Sequence, residues 1–191
     1  FNFERWKIKK RNNKECIIEL EYFSKIFATI ALENHEDDQI KEALWFNNKL
    51  RNSVSYPLLL QIFSDFEKKV ILKEDVLEII ELCQSYIFRR IICGQLTSGH
   101  RDFFAKLYDR IDKANRQKYV ESIKAEFQVK KGKYRFPTDT EFHEHLLIEN
   151  MYERRPNDYP LLKLENFLRK KEKVGILDRP KVTIEHILPQ N

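Results

Sequence analysis

A chain of 191 residues with 42% apolar and 13% aromatic side chains can bury a proper core, which excludes a disordered tether despite 34% charged residues. Four glycines and six prolines leave few turns, so long helices are expected over a many-stranded sandwich. The net charge of +5 suits a polyanion partner such as DNA.

The charge is uneven. Residues 1–14 carry six basic side chains against Glu4 alone, residues 113–133 carry seven against Glu121 and Glu126, and residues 163–181 carry seven against three. For any one of these clusters a solvated helix face is the simpler reading.

Helical periodicity runs through most of the chain. From Lys14 to Asn34, Ile17, Leu20, Ser24, Phe27 and Ala31 form one stripe, widened by Phe23 and Ile30. The acidic patch Glu33, Glu36, Asp37 and Asp38 ends that helix and opens a second, which reaches about Leu50 on Ile40, Leu44 and Trp45. Ser55-Tyr56-Pro57 predicts a start with serine as cap and proline in the first turn, and the apolar run Leu58–Phe63 makes that helix central. The next helix covers about Lys73–Ile92, with Val76, Ile79, Ile80, Cys83, Tyr86, Ile87 and Ile91 as core and Gly94 as stop.

Shorter helices are predicted at about 99–112 and 115–128. Lys130–Pro137 reads as a basic loop or short strand, and Thr138-Asp139-Thr140-Glu141 as a capping box opening a helix to about Tyr152. A linker (Arg154–Pro160) and a last helix (Leu161 to about Lys171) follow. Then β-branched Lys181-Val182-Thr183-Ile184, set off by Gly175 and Pro180, predicts a strand, and a domain boundary is expected near residue 172.

Cys16, Cys83 and Cys93 lack metal-ligand spacing and read as buried free thiols of a reducing compartment. With no run near the roughly 20 apolar residues of a membrane span and no visible signal peptide, a cytoplasmic protein without membrane contact is expected. A start at Phe1 rather than methionine suggests that an N-terminal part of the parent lies outside the chain.

Glu185 and His186, in an apolar strand stopped by Pro189, are the residues most suggestive of chemistry. A carboxylate is a hard ligand for Mg²⁺ or Mn²⁺, and imidazole is the natural base near neutral pH. Neighbours on a flat strand point to opposite faces, so both reach one point only if the strand twists or turns there. A lone histidine at a strand end is more often structural.

Other candidates are weaker. Arg89 and Arg90 could bind phosphate, but ion pairing at a helix C-terminus is the simpler role. His143 and His145 are two apart on a helix and diverge, and Glu141 belongs to the capping box, so the Glu141, His143, Glu144, His145 group reads as structural. His35 and His100 fall at predicted helix boundaries. Lys130, Lys131, Lys133 and Arg135, interleaved with Tyr134, suit a DNA-backbone contact or an ordinary exposed loop. No Gly-rich phosphate loop, Gly-x-Ser-x-Gly elbow or Cys-x-x-Cys pair is present, which disfavours a kinase, a serine hydrolase or a zinc module.

Glu185-His186-Ile187-Leu188-Pro189-Gln190 resembles the first motif of HNH endonucleases, and with Ile184 it resembles the nuclease domain of GmrSD-type, modification-dependent restriction enzymes. Tyr56–Leu60, Tyr86–Gly94 and Arg135–Phe142 resemble the helical region joining that family's two catalytic halves, in the same order. The resemblance implies that residues 1–172 are a helical connector and 173–191 the truncated start of an HNH ββα-metal domain. The fold expected is mainly α, a multi-helix bundle with a short C-terminal β-strand.

By the same resemblance His186 would be the general base and Glu185 a metal ligand for Mg or Mn. The remaining metal-site residues would lie beyond Asn191, and a domain binding a nucleotide triphosphate would lie before Phe1. The fragment alone would then be inactive, and its partners would be DNA and those missing domains. The alternative is a non-catalytic helical module for protein interaction or DNA binding.

Overall fold

The computed structural model describes residues 13–95, 100–129, 132–150, 156 and 158–169. Over that span the protein is mainly helical: α1 (Asn13–Leu32), α2 (Asp38–Lys49), α3 (Tyr56–Glu67), α4 (Lys73–Ile92), α5 (His100–Leu107), α6 (Arg116–Val129), α7 (Asp139–Ile148) and α8 (Tyr159–Arg169). Single 3₁₀ turns stand at Ser53–Ser55, Tyr108–Arg110 and Gly132–Tyr134. The described residues contain no strand, and the strand and boundary expected at 181–184 and near 172 lie outside them. Two compact units divide the chain, residues 1–149 with α1–α7 and residues 150–191 with α8.

The helix ends follow from local chemistry. Asp37, from the acidic patch, caps α2 by accepting the N–H groups of Gln39 and Ile40 at 2.9 and 3.2 Å. Asn115 Oδ1 does the same for α6 through the N–H of Lys118. At the start of α4 the Asp75 carboxylate takes the Leu72 N–H at 2.8 Å.

The first four helices all end on a residue with a positive φ, near +60°, and a long backbone hydrogen bond across the turn. At α4 this residue is Gly94, and Gln95 N–H donates to the Arg90 carbonyl at 2.8 Å. At α1, α2 and α3 it is Glu33, Arg51 and Lys69, with matching bonds from Asn34, Asn52 and Val70. A chain so poor in glycine ends three of these helices with side chains that fit the left-handed region less readily.

Two predicted features differ. Ser55 does not cap α3; its hydroxyl donates to the Asn52 carbonyl at 2.7 Å, because the 3₁₀ turn runs straight into α3 and gives Ser55 a helical backbone. α7 stops at Ile148 rather than near Tyr152, with Glu149 already extended.

The main core lies where α2, α3 and α4 meet. Ile40 and Leu44 of α2, Leu58, Leu59 and Ile62 of α3, and Val76, Ile79, Ile80 and Cys83 of α4 are fully buried. On α2 Phe46 is buried and Trp45 only half-buried, its ring under the Lys49 ammonium. Buried polar ties hold α2 and the turn after it against α4: Gln84 Nε2 donates to the Ala43 carbonyl at 2.9 Å, and Asn52 Nδ2 to the Cys83 carbonyl at 3.4 Å. All three cysteines are free and buried, and burial pushes the Cys83 thiol well above its usual range.

α1 keeps Ile30 of the stripe expected for it and turns the centre of that stripe outward. Its buried positions are Cys16, Ile26 and Ile30, while Ile17, Leu20 and Phe27 are 65%, 53% and 49% exposed. The helix carries two adjacent apolar stripes, and polar anchors decide between them. Tyr22 donates to Ser64 Oγ on α3, and Asn48 Nδ2 on α2 donates to the Ile30 carbonyl at 2.8 Å. These turn the 16/26/30 side inward.

Candidate functional site

The C-terminal half of α4 is long enough to carry Tyr86, Arg89 and Arg90 beyond the main core, into a second one built from rings. Tyr86 packs edge-on to Phe127 and Phe104 at centroid distances of 4.9 and 6.1 Å, and tilted against Phe103, Phe136 and His100. Its hydroxyl donates to the Tyr134 carbonyl at 2.9 Å, and burial pushes its pKa up to about 12. Such rings combine large buried area with edge-to-face contacts.

The two arginines then bind the segment that follows the 3₁₀ turn at Gly132–Tyr134. Arg90 is only 1% exposed. Its Nη1 donates to Gln95 Oε1 at 2.7 Å and to the Arg135 carbonyl at 2.9 Å, and its guanidinium lies 5.4 Å from the Tyr86 ring centre. Burial is the main reason its pKa falls below the usual guanidinium value. Arg89 pairs with Asp139 at 2.5 Å and lies over the rings of Phe136 and Phe142 at 5.6 and 5.0 Å. Phe88 meets Phe142 edge-on at 5.8 Å.

Glu141 closes the joint. Thr138 Oγ1 accepts the Glu141 N–H at 3.2 Å, the first arm of the expected capping box. The Glu141 carboxylate receives both Nη atoms of Arg135 and, at 3.1 Å, the Gln95 amide. Arg135 first, then Gln95 and the Thr138 N–H, hold the Glu141 carboxyl below its usual range against partial burial. The strings Tyr86–Gly94 and Arg135–Phe142, more than 40 residues apart, are therefore one packed unit.

The predicted site residues fare unevenly. His186, Glu185, Lys130 and Lys131 lie outside the described residues, and for Lys133 only the backbone is described, in the 3₁₀ turn before Arg135. Arg135 is described, half-exposed, with its guanidinium engaged by Glu141. Elsewhere in the basic stretch, Arg116 pairs with the buried Asp75, Lys124 with Glu78, and the Lys113 ammonium sits 3.5 Å from the Tyr108 ring centre. Arg116 and Lys124 join α6 to α4, and the Lys113 contact is local to the turn before α6.

His143 and His145 sit on α7, where His145 Nδ1 lies 4.0 Å from Glu149. His35 Nδ1 accepts the Asp37 N–H at 3.0 Å and its ring rests between Phe63 and Phe66, while His100 is buried beside Tyr86 and Tyr134. Among the described residues no group of three or more His, Cys, Asp or Glu side chains is arranged to hold a metal ion. No described helix is long and apolar enough to cross a membrane.

Compared with protein-family models, curated proteins and solved structures, this chain matches none. What the site does must be read from its own residues.

Sequence reasoning missed one feature of the bundle. Asp65 on α3 is buried, and its Oδ2 accepts the hydroxyls of Tyr108 and Tyr119 at 2.8 and 2.7 Å. Burial first, and then Asp65 itself, push both phenols far above their usual range. An acidic residue inside the otherwise apolar face of α3 was the available signal. The arrangement joins α3 to α6 and gives a buried carboxyl the hydrogen bonds it requires.

Proposed function

We propose that the chain is the helical connector and first nuclease strand of a GmrSD-like restriction endonuclease, an enzyme of anti-phage defence that hydrolyses phosphodiester bonds in DNA that is foreign and modified. The observation that carries this reading is the ordered set of four strings, Tyr56–Leu60, Tyr86–Gly94, Arg135–Phe142 and Ile184–Gln190. The packing of the second string against the third supports treating them as parts of one element.

In this reading His186 deprotonates the attacking water and Glu185 helps hold a divalent ion, Mg or Mn, that stabilises charge on the phosphate. The bundle itself offers positioning rather than chemistry. Lys130, Lys131 and Lys133 would meet the DNA backbone, and Arg135 would join them on release from Glu141.

The test is cleavage of modified and unmodified DNA by the full-length protein, with Mg²⁺ or Mn²⁺ and with or without a nucleoside triphosphate. His186→Ala is expected to lower cleavage by at least about a hundredfold, the scale of general-base catalysis, with DNA binding retained. Wild-type cleavage by that variant would refute the assignment of His186.

The second reading, a non-catalytic interaction module, is favoured by the exposed apolar side of α1, where Ile17, Ile18 and Leu20 are more than half exposed. It predicts a full-length protein that binds a protein partner and cleaves no DNA under any of these conditions.

A further inference from the structure

α7 is held to the bundle differently from every other helix of the first unit. α2, α3, α4, α5 and α6 each bury several side chains, and α1 buries Cys16, Ile26 and Ile30. α7 buries none. Among the described residues its ion pairs and ring contacts to the rest of the unit come from its first turn: Asp139 to Arg89, Glu141 to Arg135 and Gln95, and Phe142 to Phe88 and the Arg89 guanidinium, with His145 half-buried one turn on. At the far end Leu147 and Ile148 are 72% and 80% exposed and Leu146 is half-exposed, so its aliphatic residues add little burial.

The groups holding α7 are fixed without it. Arg90 keeps its bonds to Gln95 and the Arg135 carbonyl, Tyr86 keeps its bond to the Tyr134 carbonyl, and Phe136 stays against Phe127 and Tyr86. Detaching α7 breaks two ion pairs, the Gln95–Glu141 hydrogen bond and the contacts of the Phe142 ring with Phe88 and Arg89, while the groups that close both cores lie outside it. Local opening of this kind is expected where buried apolar contacts are few.

We infer that α7 is a latched helix, which opens from the end of α4 as a unit of its own while α1–α6 stay folded, its latch being the Arg89–Asp139 and Arg135–Glu141 pairs with Phe142. As the last helix of residues 1–149, it is where the first unit hands the chain on.

Amide hydrogen exchange on the intact chain tests this. Amides of α7 from Phe142 to Glu149 are expected to exchange at least about a hundredfold faster than those inside α4, because their opening is sub-global. Arg89→Gln removes the Asp139 pair and the cation–ring contacts. It should speed α7 exchange a further roughly fivefold or more, given the usual strength of such contacts, with interior α3 and α4 amides unchanged. Glu141→Gln, which leaves Arg89 intact, should act in the same direction. Exchange of α7 at the rate of the α4 interior in the wild-type chain would overturn the inference, and so would a variant that accelerates every helix equally.

Discussion

At the residue scale the protein spends its buried polar groups on joints between helices. Asp65 binds the hydroxyls of Tyr108 and Tyr119, Asp75 binds Arg116 and the Leu72 N–H, and Arg90 binds Gln95 and a carbonyl. The phenols make this choice visible in solution. Tyr86 is pushed up to about 12, and Tyr108 and Tyr119 are raised further. In the unfolded chain these groups ionise near pH 10, so above that pH the unfolded state loses protons that the folded state still holds. Their contribution to stability is complete below pH 10 and declines as pH rises beyond it. Denaturant unfolding at pH 8 and pH 10.5 should therefore show a clear alkaline loss. Tyr119→Phe should lower stability by about 1 kcal/mol at pH 8 and make the alkaline decline shallower. An unchanged alkaline slope in that variant would show that Tyr119 is not one of its sources.

At the element scale α1 shows how far periodicity reaches. The pattern correctly announces a helix from Lys14 onward and an end near Asn34, but it offers two stripes a residue apart. Only contact with Ser64 and Asn48 selects one of them. Substitutions read the choice directly. Ile30→Ala empties a fully buried site and should cost roughly 2–4 kcal/mol, whereas Leu20→Ser on the exposed stripe should change stability by no more than about 0.5 kcal/mol. Thermal or urea unfolding of the two variants settles which side faces the core. The same limit explains Ser55. Ser-Tyr-Pro is a sound start signal, yet a preceding 3₁₀ turn gave the serine hydroxyl a different partner.

At the scale of the whole molecule, the basic stretches divide by what surrounds them. Arg116 pairs with the buried Asp75, Lys124 pairs with Glu78 and Lys113 lies by the Tyr108 ring, while Lys118 is exposed; the proposed DNA contact concerns the Lys130–Arg135 end. If that end meets DNA, replacing Lys130, Lys131 and Lys133 by Gln in the full-length protein should weaken binding. The slope of log affinity against log salt should also flatten, by about 2–3 for three lost phosphate contacts. An unchanged slope, measured by fluorescence anisotropy across a salt series, would remove these lysines from the interface.

Sequence alone determined that the described part of the chain is helical, roughly where each helix begins and ends, and that Gly94 and the acidic patch from Glu33 to Asp38 mark two of those breaks. Those features are set within one or two turns of backbone, by capping groups and by side-chain spacing. It also raised the Glu185-His186 pair and the four ordered strings, which remain the basis of the functional proposal. Tertiary structure decided what depends on neighbours distant in the chain. It chose the buried side of α1, placed Asp65 between two tyrosines, and brought Arg89 and Arg90, read as ion-pairing residues of a helix end, together with Arg135 and the capping Glu141 in the joint that ties α7 to α4. Residues more than 40 positions apart met there because the ring core around Tyr86 brought their segments together. No local pattern in either segment records that encounter.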